Sequence, residues 1–344
     1  MRRTPRAPSL RVTATAVIAL ALTATIQPPA RAEPSTLAEV RAVLEQLYRS
    51  AEAATDKYNA ADVKVKKQEK RVRTLRAQVS TAEKKLGKLT LLAGAAARAQ
   101  YRGGGLPAEV QFAFSDDPER ALDNASLVRQ TQESTQDVID SLSETQSSLR
   151  VRKDEATEVL ADLKANRTEK AKQRKTIETR IADAKRIESR LAASQRQQIA
   201  AMDTADADAA QAKWESTGVL SKVSKTTTAA GKKAVEFAYQ QIGKPYQWGA
   251  TGPNSYDCSG LTSQAWLHAG LTIPRTSEAQ WAGLKRIPVS SMRPGDLVIY
   301  FSDASHVAIY MGDGKIISAP RPGRNIYISP VASMPILGVV RPGA

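Results

Sequence analysis

The chain offers thiol chemistry one candidate nucleophile, Cys258, and two candidate imidazole bases, His268 and His306. Cys258 stands in Tyr256-Asp257-Cys258-Ser259-Gly260. Asp257 is a good helix N-cap, which puts Cys258 in a first helical turn, where free backbone N–H groups and the macrodipole favour a thiolate. His306 opens an apolar run, His306-Val307-Ala308-Ile309-Tyr310, that reads as an antiparallel strand, and it is the base candidate. His268 falls just before Gly270, at the C-terminal end of the same helix as Cys258, where a cation is favourable and a structural role suffices. The plainer reading of Cys258 is a small buried apolar side chain. A catalytic thiol must instead ionise, stay open to solvent and lie near its base. One cysteine and two histidines exclude a disulfide framework and Cys/His zinc sites. No Gly-Lys pair is followed by Ser or Thr, so there is no phosphate loop, and no metal or cofactor is expected.

The elements that must hold these residues are readable after Gly231, where the tryptophans Trp248, Trp266 and Trp281 and most of the prolines cluster. Helices are expected over Lys232–Ile242 and Asp257–Ala269. Strands are expected over Asp296–Phe301, His306–Met311, Lys315–Ala319 and near Leu337–Arg341, giving an α+β domain with helices packed on an antiparallel sheet. Tryptophans in so small a domain are usually core, and Arg275 reads as a loop anchor.

Several motifs occur in order: Gly243-Lys244-Pro245-Tyr246-Gln247-Trp248-Gly249, Asp257-Cys258-Ser259-Gly260-Leu261, Pro274-Arg275-Thr276-Ser277, Pro294-Gly295-Asp296-Leu297 and the His306 run. Together they closely resemble the NlpC/P60 family of cell-wall cysteine peptidases, over about residues 232–341. The resemblance implies a papain-like fold and cleavage within peptidoglycan stem peptides, usually between γ-D-glutamate and a diamino acid. It makes Cys258 the nucleophile and His306 the general base. It makes Tyr246 a partner of the Cys258 backbone N–H in holding the oxyanion, and it makes Asp257 and Ser259 the lining of the site for the substrate's free amino end.

The family's third residue, commonly His, orients the imidazole from the next strand, and here that position is Ser318. A three-residue loop at Gly312–Gly314 sets Ser318 opposite Ala308 and diagonal to His306 on one face. A two-residue loop would turn it to the other face. A serine hydroxyl can accept the imidazole N–H but brings no charge, so a weaker orienter is expected rather than a dead enzyme.

The rest of the chain is built differently. Aromatic residues make up only 5% of the sequence, too few for one large globular core. Residues 33–213 read as a coiled-coil hairpin. Leu37, Leu44, Ala51, Tyr58, Val65 and Val72 form one seven-spaced line, and Val40, Leu47, Ala54, Ala61, Gln68 and Leu75 form the other. Arg102-Gly103-Gly104-Gly105-Leu106-Pro107 begins a break that lasts to about Pro118. A second helix is expected to run on to about residue 213, on a line through Leu149, Leu163, Ile177, Ala184 and Leu191 that Lys170 interrupts. Its second line is softened by Arg167, Arg174 and Glu188. Two such helices fold back as an antiparallel rod of roughly 100 Å. Residues 214–231 read as a tether to the domain at 232–344.

Residues 1–32 read as a secretory signal peptide. Arg2, Arg3, Arg6 and Arg11 precede the apolar stretch Val12–Ile26, and Ala30-Arg31-Ala32 supplies a cleavage site after Ala32. The net charge is +15, of which Arg2, Arg3, Arg6, Arg11 and Arg31 belong to residues 1–32; the basic runs Lys64-Val65-Lys66-Lys67 and Lys170-Ala171-Lys172-Gln173-Arg174-Lys175 read as a solvated coiled-coil face, and attraction to anionic surface polymer or lipid is the sharper alternative. Export and the lack of interleaved aromatics argue against nucleic acid. The expectation is a secreted, wall-associated thiol hydrolase of peptidoglycan. Its coiled coil would serve as a regulatory or targeting arm that restrains it until a membrane-embedded or division-associated partner engages. The alternative is a catalytically weak wall-binding or hydrolase-activating module.

Overall fold

The computed structural model describes residues 34, 36–102, 118–224 and 226–344. The export segment 1–32 and the break expected between Arg102 and Pro118 lie outside the described residues. Among the described residues, no helix is long and apolar enough to cross a membrane.

Helix α1 (Leu37–Arg102) and helix α2 (Pro118–Arg190) lie antiparallel along the expected seam. Leu44, Ala51, Ala54, Ala61, Val65, Val72 and Leu75 are buried from α1, and Leu149, Leu163, Ile177 and Ala184 from α2. Of the polar residues that interrupt the seam lines, Arg174 pairs within its own helix with Glu178 at 2.9 Å, and the others are paired across the helices. Lys170 Nζ lies 2.5 Å from Asp62 Oδ1 and 5.2 Å from the centre of the Tyr58 ring. Arg167 pairs with Glu69 at 2.7 Å, and Asn166 Nδ2 donates to Gln68 at 3.2 Å. Glu188 accepts from Tyr48 Oη at 2.9 Å. These contacts are at most partly buried and each contributes little. They fix register while the apolar seam supplies the stability.

The second helix does not run unbroken to residue 213. It ends at Arg190, and α3 (Ala193–Glu215) starts after a step at Leu191-Ala192, where Ala192 N–H donates to Gln195 Oε1 at 2.9 Å. No Gly or Pro marks this step. Tertiary packing compensates it: Ile199 of α3 buries against Leu44, Tyr48 and Ala184, and Asp203 and Asp206 meet Arg41.

The stretch expected as a free tether is also packed. Helix α4 (Val219–Lys222) leads to buried Val223, Ser224 N–H donates to Met292 O at 2.9 Å, and Trp214, Val219 and Leu220 cover one face of the sheet.

That sheet is six-stranded and antiparallel throughout. Its order is β1 (Lys285–Ile287), β6 (Ile336–Arg341), β2 (Leu297–Tyr300), β3 (His306–Gly312), β4 (Lys315–Ser318) and β5 (Tyr327–Pro330). Leu297, Ile299, Val307, Ile309 and Ile317 pack under helices α5 (Ala229–Gln240) and α6 (Cys258–His268). Val298, Tyr300, Ala308, Tyr310 and Ile316 face the other way, toward the packed tether. Both faces are covered, so β2 and β3 read as continuous apolar runs. The expected α+β architecture is present. The strands β1 and β5 and the short helix α7 (Ser277–Gly283) were not expected, because each is too short to show a period.

The domain closes on one contact that only glycine permits. Gly295 has φ +99°, and a Cβ there would stand 2.7 Å from Gly231 Cα, so the start of α5 sits directly on the turn before β2. For the rod, Ile177 is fully buried on the seam. Ile177→Ala is expected to destabilise the hairpin by about 2–5 kcal/mol through the cavity it leaves, read as a lower midpoint in denaturant melts followed by circular dichroism.

Candidate active site

The expected helix start is in place. Asp257 caps α6 by accepting from Gly260 N–H at 2.6 Å, so Cys258 is the first helical residue. Gly260 is required here, since a Cβ would lie 2.2 Å from Ala250 O. This close approach brings the 249–251 turn to the helix start, where Gly249 N–H donates to Asp257 Oδ2 at 2.9 Å and Asp257 N–H to Ala250 O at 3.1 Å.

The Asp257 carboxylate is fully buried and is balanced by Arg275. The guanidinium meets it in two parallel bonds, Nη1 to Oδ1 at 3.0 Å and Nη2 to Oδ2 at 2.7 Å, and also donates to Ser259 Oγ at 2.9 Å. Arg275 therefore does more than anchor a loop. It neutralises the charge directly beside the thiol, in the bidentate geometry that makes such a pair strong.

Cys258 packs against β3, with the Val307 backbone N–H directed at its sulfur. His306, the residue before, is fully buried, and its Nε2 lies 3.0 Å from Ser318 Oγ. The loop that sets this contact is not the three-residue one. Asp313 and Gly314 form a two-residue turn, both at positive φ, between Gly312 and Lys315. A bulge between Tyr310 and Gly312 then shifts the register by one, to Tyr310↔Ile316 and Ile309↔Ile317. Ser318 comes level with Ala308 after all, on the His306 side. Tyr246 lies buried beside Cys258, and burial, followed by the Cys258 and Asp257 charges, holds its phenol well above the usual tyrosine range. The structure thus gathers Cys258, His306, Ser318, Tyr246, Asp257 and Ser259 at one place. His268 is elsewhere, stacked at 4.3 Å on Phe237.

The sequence profile of the NlpC/P60 family matches residues 243–336, the segment that carries all of these side chains. Here the chain carries an NlpC/P60 domain. It is 44% identical over 111 residues to a protein of Corynebacterium glutamicum named as a probable endopeptidase, a match that spans 32% of this chain and 53% of that protein. It is 49% identical over 84 residues to the probable endopeptidase p60 of Listeria monocytogenes, spanning 24% of this chain and 17% of that one. Among solved structures, the NlpC/P60 domain of the peptidoglycan hydrolase SagA is 35% identical, with a TM-score of 0.31, covering 32% of this chain and 97% of that one. The chain spans about half, or less, of the length of these curated relatives.

The thiol of the NlpC/P60 domain is not open to solvent, contrary to what its proposed chemistry requires. Cys258 is buried, and α1 brings the Glu52 and Asp56 carboxylates near enough to act on it electrostatically. Glu52 Oε1 lies 3.2 Å from His306 Nδ1, within ion-pair reach though off the line of a ring hydrogen bond. Asn59 Nδ2 donates to Asp257 Oδ2 at 3.0 Å. Asp56 accepts from Ser277 N–H at 2.9 Å, Ser277 Oγ at 3.0 Å and Glu278 N–H at 3.2 Å. Tyr58 meets Trp248 edge-on at 5.2 Å, so this tryptophan faces the arm as well as the core. Burial pushes the Cys258 thiol well above its ordinary range, and the carboxylates of Asp257, Glu52 and Asp56 push the same way against the opposing Val307 N–H.

Sequence reasoning missed Glu52, Asp56 and Asn59. Their signal was present as polar residues at 52, 56 and 59 on one helical face, off the seam, but such a face ordinarily meets water.

Arg275→Met is expected to cost about 3–5 kcal/mol in domain stability by leaving Asp257 buried without its counter-charge, read in thermal or urea melts. Asp56 gives a pH dependence. Burial raises its carboxyl from 3.8 to about 6 in the docked arrangement, against the opposing N–H bonds of Ser277 and Glu278. The docked state therefore holds this proton more tightly than an undocked α1 would. Its contribution to docking is full below about pH 4 and is lost as pH rises through about 6. Amide exchange at Ser277 and Glu278, corrected for the intrinsic pH effect, is expected to quicken across that window.

Proposed function

We propose that the chain is a secreted peptidoglycan hydrolase, a cysteine endopeptidase cutting stem peptides at the bond between γ-D-glutamate and a diamino acid. The observation that carries this reading is the meeting of the lone thiol, at a helix start, with a strand whose His306 is held through Nε2 by Ser318. With Nε2 engaged, Nδ1 is the nitrogen available to take the thiol proton. The thiolate then attacks the scissile carbonyl carbon. The Cys258 backbone N–H and the Tyr246 hydroxyl hold the developing oxyanion. The imidazolium returns the proton to the leaving amine, a thioester remains on Cys258, and water activated by His306 releases the acid. Asp257 and Ser259, fixed by Arg275, line the pocket for the substrate's free amino end. The NlpC/P60 match and the relatives named as endopeptidases support this reading. Export by residues 1–32, a wall location and a regulator reached through the hairpin belong to the same proposal.

A second reading, a catalytically weak wall-binding or hydrolase-activating module, is favoured by Ser318, whose neutral hydroxyl steadies imidazolium less than a charged or second imidazole group would. The test is muropeptide release from isolated wall by a fragment starting at Gln211, which keeps the tether residues that pack on the sheet. Release that vanishes in Cys258→Ala supports the hydrolase. No release by the intact fragment supports the module. In an active fragment, Ser318→Ala is expected to lower turnover about tenfold, the worth of one hydrogen bond of ~1.4 kcal/mol.

A further inference from the structure

We propose that the distal half of the rod is a self-association surface, on which the outer edge of α1 in one chain packs against the outer edge of α2 in a second copy. This goes beyond the hydrolase reading and does not rest on it.

The edges are the heptad positions that point away from the seam. On α1, the buried lines through Leu44 and Leu75 leave the opposite stripe to Lys84, Lys88, Leu91, Ala95, Arg98 and Arg102. On α2, the line through Leu149 and Ile177 leaves it to Asp140, Glu144, Ser147, Val151, Asp154 and Glu158. All of these side chains are exposed. The first stripe reads as a cation pair, a small uncharged gap and a second cation pair. The second reads as an acid pair, a similar gap and a second acid pair. Both advance by alternate steps of four and three residues, so every charge on one meets an opposite charge on the other in a single register.

Solvated helix edges ordinarily intersperse both signs. Here the signs are sorted by helix. From Lys84 to Arg102, α1 holds five cations and no acid, and from Glu133 to Leu149, α2 holds four acids and no cation. The two segments lie level in the hairpin, as the 2.8 Å contact of Lys153 with Glu83 across the seam shows. None of the eight charges on the two stripes forms an ion pair with another described residue, because the stripes face away from each other.

Apolar exposure points to the same surface. Leu91 is 73% exposed and Val151 64%, each inside the gap of its own stripe. In the matched register Leu91 falls beside Ser147 and Val151 beside Ala95, one helical turn apart, so they share a patch flanked by charge pairs at both ends. An anionic polymer or lipid would engage the basic edge alone and leave the acidic edge, with its equal spacing, unaccounted for. A second copy uses both.

The stripes match whichever way the second rod points, and the C-terminal domain decides between the two. Rods pointing the same way would bring the neighbour's α2 near residues 183–190 up to α1 at Arg49–Asn59, where the domain is docked. Rods pointing in opposite directions match over roughly 27 Å and carry their domains at opposite ends. The contact is heterologous: it leaves an α2 edge free on one chain and an α1 edge free on the other, so it extends into a row rather than closing at two. Exposed pairs are individually weak and screened by salt, so the row needs many of them and dissolves as salt rises.

The test is sedimentation velocity with light scattering on the chain from Glu33 onward, which keeps every described residue. The expected result is a weight-average mass that climbs with concentration past that of a dimer at about 0.05 M salt, and returns to monomer at about 1 M, where screening acts within ~3 Å. Lys84→Glu/Lys88→Glu/Arg98→Glu/Arg102→Glu makes both edges acidic, and Asp140→Lys/Glu144→Lys/Asp154→Lys/Glu158→Lys makes both basic. Each variant is expected to be monomeric alone, and the two mixed in equal amounts are expected to associate. Circular dichroism melts check the seam, on which no substituted side chain lies. Should a reversed chain not fold, Gln at the four charged positions of one edge replaces it, with association expected to be lost. The proposal is overturned if the unaltered chain stays monomeric at low salt, if reversing or neutralising one edge leaves association unchanged, or if the two reversed chains ignore each other when mixed. Vesicles of phosphatidylglycerol and phosphatidylcholine complete the comparison: binding by a chain that stays monomeric gives the basic edge to a lipid surface and also overturns it.

Discussion

One buried carboxylate organises the NlpC/P60 domain of this protein. Asp257 caps the helix that starts at Cys258, pins the turn at Gly249, and is neutralised by the fork of Arg275, which in turn fixes Ser259. A charge with no exposure is tolerable only when its oxygens are fully paired, and here each oxygen accepts several donors. Helix, turn and the Arg275 loop are therefore positioned together, and a disturbance in one is felt at the thiol. The same oxygen that pins Gly249 also accepts from Asn59, so the hub of the domain is also a point of attachment for the rod.

That double use gives the molecule its organisation. The seam of α1 is apolar and continuous with α2, as a two-helix rod requires. Its other buried side is polar and short, confined to the turns from Glu52 to Asn59, and it matches donors on the domain. The two sides obey different physics. The first rests on removal of apolar surface from water and tolerates conservative change. The second depends on directed hydrogen bonds and on desolvated carboxylates, so it is specific and close to balance. A hairpin held firmly to itself and weakly to the domain can move as a unit without unfolding. The step at Leu191-Ala192 and the packed segment around Val223 place its remaining attachments near the sheet.

The thiol illustrates how context overrides position. A cysteine at a helix N-terminus is favoured as thiolate by the macrodipole. In the docked arrangement, burial and three neighbouring carboxylates, two of them from the rod, outweigh that and push the thiol up. The residue type and its place on the helix are the same with or without the rod, whereas its reactivity depends on what covers it.

The sequence by itself determined the heptad seam, the capped helix at Cys258 and the main strands, because these follow from local periodicity, capping and turn chemistry, whereas the set of residues expected to converge came from the resemblance of the ordered motifs to the NlpC/P60 family. It could not decide the loop at Gly312–Gly314. The two-residue turn would have sent Ser318 to the wrong face, and a bulge near Met311 restored it, a compensation invisible to counting. Nor did it mark the step after Arg190, where Ala192 has no breaking tendency and the compensating burial of Ile199 is contributed by α1. Least of all could it show that Glu52, Asp56 and Asn59 leave water for the cleft. Local sequence records which side chains share a helical face, but only the tertiary structure decides whether that face meets solvent or the donors of another element about 200 residues away in the chain.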